Sequence, residues 1–484
     1  MPAGTPAVGY RAKAAFRIVG YTDTDGYPVA LGTPTPGTLG PYDLLPFTKE
    51  AISEDIQHLL DDDLQGYSAS REMNQVARMA GGSIDLQGRF LGLNQLILAC
   101  MGHEQIDDGY GNGTWAGWKR YGGASPIGLA VNSSTNDTLT ILGDTFPTTV
   151  VGEFVFVSTA LGGIAQTRRI IARPSTTQIQ VYPAWSTNPS NGDGFAIARA
   201  FKHNYECSRN MHQELLSDLG TTLESEDWDG YLTRWGVLGI DKGVSVWESQ
   251  AVYVESLTFK LDTNGLSVTA ELIPFWRDKR TTGRNSSSST WGFHPESYAV
   301  TRRIHLPDST FWLLTHQAEN EEDGHKLGIS SFELKIKNNL KADEQSTASG
   351  LYRIEPGRDK KREVTGSFTL PRYSNDTQLN LVPAGTLQMA HLQCLGPDLT
   401  SGGSDYAALH FYLRALKLVQ GDAPADKPGM LGQKFNFTCL QPPSASGGDD
   451  WPTPSTGAEN GELIITSYDH NPFNYLLGQH TSAY

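Results

Sequence analysis

The feature that most constrains the fold is an alternation of apolar and polar residues with a period of two, which recurs along the 484-residue chain. This period is typical of strands that bury one face and expose the other to water. Residues 262–265 read Asp-Thr-Asn-Gly, a hairpin signal between two alternating runs. The runs span residues 253–261, 266–273, 332–336, 364–370, 411–418, 435–439 and 462–466.

Helical patterns are few. Residues 91–100 place apolar side chains at i, i+3, i+4 and i+7, which predicts an amphipathic helix of two to three turns ending near Gly102. Residues 386–394 space apolar side chains three and four apart and predict a second helix. Both segments follow a strand that opens with Gly-Ser, at Gly82 and at Gly366. We therefore interpret the chain as a duplicated β-domain with one packing helix in each copy.

Composition changes mark the expected domain boundaries. Residues 123–200 are rich in Thr, Val and Ile and hold several short alternating runs, which predicts a small all-β module inserted into the first copy. A Gly/Ser/Asn-rich stretch at 281–290 divides the two copies. We expect a first domain from residues 1–122 with 201–280, the inserted module at 123–200, and a second domain at 291–484.

Charge and motif content exclude several classes of function. Asp and Glu number 53 against 38 Lys and Arg, and a net charge of −15 argues against a general nucleic-acid binder. No apolar run is long enough to span a membrane, and the start of the chain lacks a secretory signal. The four cysteines are too sparse for a disulfide framework, so we expect buried free thiols. No nucleophile elbow, phosphate-binding loop or zinc motif is present. We expect no catalytic residues, no metal and no cofactor.

Several fragments together resemble a known family. Residues 80–88 read Ala-Gly-Gly-Ser-Ile-Asp-Leu-Gln-Gly before the first helix. Residues 335–340 read Lys-Ile-Lys-Asn-Asn-Leu, and Val-Thr-Gly-Ser-Phe begins at Val364. This combination is similar to the major tail tube proteins of siphophages, whose tails are long and non-contractile. The resemblance covers most of the chain and implies an all-β fold with minor helix: two tandem β-sandwich or half-barrel domains plus the inserted β-module.

The resemblance also implies a function and its partners. Such a chain is a structural virion protein whose two domains allow three copies to form a ring of pseudo-sixfold symmetry. Rings stack into a hollow tube that conducts DNA during ejection, and no step is catalytic. The implied partners are further copies of the chain, the tape-measure protein, the tail terminator and distal tail proteins, and genomic DNA that passes without specific binding. Assembly in the host bacterial cytoplasm is expected.

Two charged segments are candidates for contacts between stacked rings. The densest negative patch is interpreted as a loop that projects to the neighbouring ring; a solvated loop and a divalent-cation site are the alternatives, and an EF-hand's spacing and glycine are missing. A basic segment before Val364 could meet this acidic loop, or could be a solvated turn or a nucleic-acid contact. The acidic candidates are Glu54, Asp55, Asp61, Asp62 and Asp63, and the basic candidates are Arg358, Lys360, Lys361 and Arg362.

An acidic lumen would repel the phosphates of passing DNA. Glu255 and Glu271, on the long alternating runs, are the candidates for this lining, and a solvated outer face is the alternative for each.

Two other classes of function stay open. A carbohydrate-binding or glycan-degrading β-protein would use exposed Trp228, Trp235 and Trp247 as sugar platforms. A capsid or decoration protein would share the β-rich composition and the symmetry, but would form shells or trimers.

Overall fold

A computed structural model of the chain describes a little over half of its residues. Strands dominate the described part, which confirms the all-β fold with minor helix. The described residues are 12–20, 44–60, 73–107, 118–119, 131–135, 137–141, 146, 151, 154–158, 166–182, 184–185, 188–191, 194–198, 201–207, 235–242, 245–280, 302–316, 323–340, 360–373, 375–398, 406–422, 432–442, 462–469, 473–474 and 479–480.

The described elements are strands of very different lengths and two α-helices. Those of the first half are β1 Lys13–Gly20, β2 Leu44–Leu45, β3 Phe47–Glu50, β4 Ser53–Leu60, β5 Met73–Gln87, α1 Asn94–Met101, β6 Gly102–Asp107, β7 Trp118–Lys119, β8 Val131–Ser134, β9 Thr138–Ile141, β10 Phe154–Ser158, β11 Gln166–Ser175, β12 Gln178–Tyr182, β13 Gly194–Ala198 and β14 Phe201–Cys207.

Those of the second half begin with two very long strands. They are β15 Trp235–Asp241, β16 Val246–Asp262, β17 Gly265–Arg280, β18 Ser309–Thr315, β19 Lys326–Leu327, β20 Ser331–Lys337, β21 Glu363–Leu370, α2 Thr377–Ala384, β22 Gln388–Asp398, β23 Tyr406–Asp422, β24 Gln433–Cys439, β25 Leu463–Asp469, β26 Phe473–Asn474 and β27 Gln479–His480.

The first predicted helix is confirmed and the second is wrong. Helix α1 ends at Gly102, which adopts the left-handed conformation and donates its N–H to the carbonyl of Leu98. Residues 388–394 of the segment predicted as a helix instead lie in β22, which pairs antiparallel with β18. Residues 388–392 are buried in succession, so the strand is covered on both faces. A short run of this kind cannot be distinguished from a helix by periodicity alone.

Helix α2 lies nearer to its Gly-Ser strand than the sequence predicted. It begins seven residues after Leu370, much as α1 begins eight residues after Leu86. Helix α1 is buried along its whole length, whereas no residue of α2 is buried. Neither described helix is long and apolar enough to cross a membrane. All four cysteines are buried free thiols, as predicted.

The chain divides into two compact units. The first contains residues 1–103, 205–394 and 411–464, and the second contains residues 104–204, 395–410 and 465–484. In the second unit, a seven-stranded antiparallel sheet has the order β7-β13-β10-β11-β12-β9-β8. Its apolar residues form a core of their own, from Val131 to Trp185. The sheet includes β7, which precedes residue 123, the expected start of the inserted module.

The first unit is organised around the hairpin of β16 and β17. The two strands pair from Val246–Arg280 to Asp262–Gly265, so the predicted hairpin turn is confirmed. The outer edge of β17 pairs with β5. The other edge of β16 pairs with β15 before residue 255 and with β20 after it. A β-bulge between Val254 and Ser256 leaves Glu255 as the extra residue at this division.

The first unit contains the same strand arrangement twice. In the first set, Gly82 of β5 pairs with Leu272 of β17, which pairs with Val254 of β16. The segment that covers the other side of β5 is β3 with β4. A bulge follows Val254 at once.

In the second set, Gly366 of β21 pairs with Phe437 of β24, which pairs with Leu418 of β23. Strand β20 covers the other side of β21. A bulge again follows at once, between Leu418 and Gln420, and leaves Val419 as the extra residue. The two sets therefore match strand for strand, and Glu255 and Val419 hold the same place.

The Gly-Ser openings have a steric cause that is common to both sets. A Cβ on Gly82 would lie 2.2 Å from the carbonyl oxygen of Ala51, and one on Gly366 would lie 2.3 Å from that of Glu333. Such distances leave no room for a side chain. Only glycine allows the covering strand to approach this closely.

Aromatic side chains of both sets pack together under the sheets. Phe259 of β16 lies with its ring centroid 5.0 Å from that of Phe411 on β23, in an edge-to-face arrangement. Phe332 of β20 also contacts Phe411, at 6.3 Å. All three are fully or almost fully buried. The two sets thus share one apolar core in the first unit.

The hairpin turn can be tested at Gly265. This residue has φ +93°, and a Cβ added to it would lie 2.8 Å from the carbonyl oxygen of Ile304. We expect Gly265→Ala to lower the free energy of unfolding by about 1–3 kcal/mol, because a side chain here is strained. Urea denaturation measures the loss. The matched control is Gly328→Ala, where nothing lies near the added Cβ; an equal loss in both variants would contradict the assignment.

Candidate assembly interface

The junction between β16 and β20 joins the two sets within one chain. The pairs run antiparallel from Ser256–Lys337 to Leu261–Phe332. Beyond Lys337, the N–H of Asn338 donates to the carbonyl of Glu255 at 2.8 Å, so the contact continues past the end of the strand. The sheet of the first set therefore passes into the sheet of the second set without an exposed edge.

Asn338 is the polar centre of this junction. Its side chain is fully buried, and its amide Nδ2 donates to the carbonyls of Val254 at 2.9 Å and Cys100 at 3.0 Å. Its Oδ1 accepts a hydrogen bond from Nε of Arg362 at 2.9 Å. One side chain thereby ties β16, the end of α1 and the segment before β21 to the end of β20. A buried amide with all these partners rigidifies the packing around it.

The bulge residue Glu255 is half-buried at the same junction. Its Oε2 accepts a hydrogen bond from the N–H of Leu340 at 2.7 Å. Burial raises the pKa of the Glu255 carboxyl above its ordinary value, and the Leu340 N–H together with Lys337 and Lys335 partly offsets that effect. Glu255 thus takes part in contacts within the chain. The other lumen candidate, Glu271, is exposed on β17 and accepts a hydrogen bond from Oγ of Ser256 at 2.6 Å.

Two of the acidic candidates lie in a strand, and the other three fall outside the described residues. Glu54 and Asp55 are in β4, which pairs with β5, so these two residues lie in a strand where a loop was expected. Their part in contacts between rings stays a prediction. Asp61, Asp62 and Asp63 lie outside the described residues.

The basic candidates do not share one environment. Lys360 and Lys361 are exposed, while the guanidinium of Arg362 is held within the chain by Asn338 and by the carbonyl of Met101, to which Nη2 donates at 3.3 Å. Arg362 therefore supports the junction, and among the described basic candidates the two lysines are presented to solvent. Arg358 lies outside the described residues.

An ion-pair cluster that the sequence did not reveal fixes the start of β4. The carboxylate of Glu50 contacts Arg277 at 2.9 Å and Lys242 at 2.7 Å, and Arg277 also donates to the carbonyl of Ile52. The guanidinium of Arg277 lies 4.8 Å from the ring centroid of Trp247. Glu50 and Arg277 are more than two hundred residues apart, so no local pattern could have paired them.

The two described tryptophans of the three proposed as sugar platforms, Trp235 and Trp247, do not present an open stacking face. Trp235 is fully buried in an apolar cluster, so its ring has no exposed face on which a sugar could stack. Trp247 is partly covered by the two cations of the Glu50 cluster. Trp228 lies outside the described residues.

These features define a structural class of protein: an all-β chain that contains one strand set twice. Its buried polar contacts, at Asn338 and in the Glu50 cluster, hold strands together. The family model described as phage tail tube protein matches residues 19–439, which is most of the chain and includes both sets. The protein therefore belongs to the phage tail tube family, a structural component of the virion tail. A search of curated proteins finds no match.

The importance of Asn338 can be tested by truncation. We expect Asn338→Ala to lower the free energy of unfolding by about 1–3 kcal/mol or more, because it leaves the carbonyls of Val254 and Cys100 without their donor. Chemical denaturation measures the change. Asn436→Ala, whose amide donates to Gln420 in an exposed hydrogen bond, is the control and should change stability by less than about 0.5 kcal/mol. Equal effects would show that the junction does not depend on Asn338.

Proposed function

We propose that the chain is the major tail tube subunit of a siphophage, that three copies form a ring of pseudo-sixfold symmetry, and that rings stack into the hollow tube that conducts DNA during ejection. The observation that carries the proposal is the family match across residues 19–439. The duplicated strand set supports it, because a chain with two similar sets supplies two positions of a ring. The rings and the stacking need no chemical step, so no catalytic residue is assigned.

The domain organisation expected from the sequence is part of the proposal. Residues 1–122 with 201–280 form the first tube domain and residues 291–484 form the second. The module at 123–200 lies on the tube exterior, where an added module leaves the lumen open. A core separate from that of the paired sets supports its assignment as a module.

Contacts between stacked rings are assigned to opposite charges. Glu54 and Asp55 lie in β4, the Asp61–Asp63 run follows β4 in the sequence, and Lys360 and Lys361 are exposed before β21. Electrostatic complementarity of this kind orients partners more than it adds affinity. Arg358 joins the basic side, whereas Arg362 acts within its own chain.

The lumen lining is assigned to Glu271 first and Glu255 second. Glu271 is exposed on the wet face of β17, while half of Glu255 is covered by the junction. Negative charge at this face would repel DNA phosphates. The remaining partners are the tape-measure, tail terminator and distal tail proteins, and assembly takes place in the host cytoplasm.

Electron microscopy of the purified full-length chain tests the proposal. We expect negative-stain images of concentrated protein to show hollow tubes with a regular axial repeat, or rings where stacking is incomplete, because both sets offer sheet edges for pairing. A variant in which Asp61–Asp63 are replaced by Ser should still form rings and should stack less. Closed shells, or a chain that stays monomeric at every concentration and also in the presence of its tail initiator proteins, would contradict the tube function.

The lumen assignment is tested with assembled tubes and short double-stranded DNA. We expect Glu271→Lys tubes to retain DNA in a salt-sensitive manner and wild-type tubes to let it pass, because added cations release phosphate counterions on binding. Co-sedimentation measures the retained DNA. The control is Thr176→Lys, on an exposed turn of the seven-stranded sheet; equal retention by both variants would contradict a lumenal position for Glu271.

A further inference from the structure

The junction within the chain is a template for a second junction, between the matching stretches of strand. In the first set, β16 changes partner at the bulge residue Glu255, and β20 pairs with residues 256–261. In the second set, β23 has its bulge at the matching residue, Val419, and pairs with β24 on one edge. The matching stretch of β23 runs from Gln420 to Asp422.

This stretch of β23 is exposed. Val419 is 58% exposed, the largest value among the big apolar side chains of the described residues, and Gln420 and Asp422 are also exposed. Its counterpart Glu255 is half-buried, because the backbone of Asn338 and Leu340 lies over it. Val419 is therefore an apolar residue in a place that a neighbouring strand covers in the first set.

The segment equivalent to β20 can be identified from the sheet register. Strand β20 pairs with β21 through residues 331–337. Residues 49–55, which run from β3 into β4, pair with β5 at the matching positions, and neither segment has an extra residue relative to the other. Lys337 corresponds to Asp55, since they pair with Glu363 and Met79, which hold matching places. The glycine contacts agree, because Glu333 and Ala51 are the residues that approach Gly366 and Gly82.

The outer side of this segment is exposed as well. Ser53, Asp55 and Gln57 are exposed, and Ile56 is 41% exposed. Ile56 holds the place of Asn338, the residue whose N–H donates to the carbonyl of the bulge residue Glu255. Both edges thus carry an exposed apolar residue. Val419 and Ile56 stand where Glu255 and Asn338 form the hydrogen bond that ends the junction within the chain.

We infer that residues 420–422 of one subunit pair antiparallel with residues 53–55 of a second copy of this chain, in the register of the β16–β20 junction. Gln420 lies opposite Asp55, Gly421 opposite Glu54 and Asp422 opposite Ser53. The N–H of Ile56 donates to the carbonyl of Val419, and their side chains shield each other from water. The inference rests on the proposed ring, and it adds which edges meet and in which register.

The second copy is the partner that the observations favour. The two edges come from the same chain, and the chain already joins equivalent edges within itself at β16 and β20. A head-to-tail contact of this type uses two different surfaces, so each subunit offers one edge and accepts the other. An exposed strand edge with an apolar side chain is otherwise an aggregation hazard.

Disulfide trapping tests the register. Two full-length variants, Gln420→Cys and Asp55→Cys, are co-expressed with tags of different size and oxidised after ring assembly. We expect a cross-linked heterodimer on a non-reducing gel from the pair and none from either variant alone, because residues directly opposite lie about 4.5–5.5 Å apart at Cα. The four native cysteines are buried and do not compete. The off-register control pairs Gln420→Cys with Gln57→Cys, which lies about 6.6 Å further along the strand.

Blocking the edge gives an independent readout. We expect Val419→Lys to abolish ring formation and to leave the thermal midpoint of the monomer unchanged, because the site is exposed before assembly. Ile171→Lys, at an exposed apolar site on the seven-stranded sheet that is 47% exposed, is the matched control and should assemble normally.

The outcomes separate the inference from the proposed function. Normal tubes from Val419→Lys, or a cross-link at Gln57 in place of Asp55, would overturn the inferred edge while the tube function stands. Wild-type protein that forms closed shells would overturn the tube function. The heterodimer together with the loss of rings would support both.

Discussion

The backbone ladder between β16 and β17 is the interaction on which the first unit depends. On the side away from β16, β17 pairs with β5. On the side away from β17, β16 pairs with β15 and β20. Strand β1 is held through β15, and β21 and β24 are held through β20. The bulge at Glu255 is what allows one strand edge to serve two partners, because it bends the strand and changes its twist. Without that division the second set would have no strand to join.

The polar contacts at the bulge specify the junction more than they stabilise it. A one-residue slip of β20 would turn its apolar face away from the core and would move the amide of Asn338 from the carbonyls of Val254 and Cys100. Net gains from hydrogen bonds are modest, but an amide left buried without partners is costly. Asn338 therefore penalises wrong registers, and Arg362 extends the same control to the segment before β21.

The sequence predicted what local patterns encode and missed what distant residues decide. The alternating runs correctly predicted the long strands and the hairpin at 262–265. The apolar spacing before Gly102 correctly predicted α1. The helix predicted at 386–394 failed because pairing with β18 overrides a local spacing that either structure satisfies. The roles of Glu50 and Arg362 also could not be predicted. Each depends on partners in other strands, and charged residues in a turn look alike whether they are solvated or held.

The two bulge residues mark two kinds of junction in the ring that we propose. Glu255 is a carboxylate whose partners are supplied by the same chain, so its junction forms during folding and costs no association entropy. Val419 is an exposed apolar residue, so the junction that we infer there would gain most from the removal of water by another molecule. Each association step must offset lost translational and rotational freedom. A ring made from duplicated chains meets that cost at every second junction only. The polar bulge at Glu255 fixes the register inside the subunit, and in the proposed ring the apolar bulge at Val419 would leave the remaining edge available to the next copy.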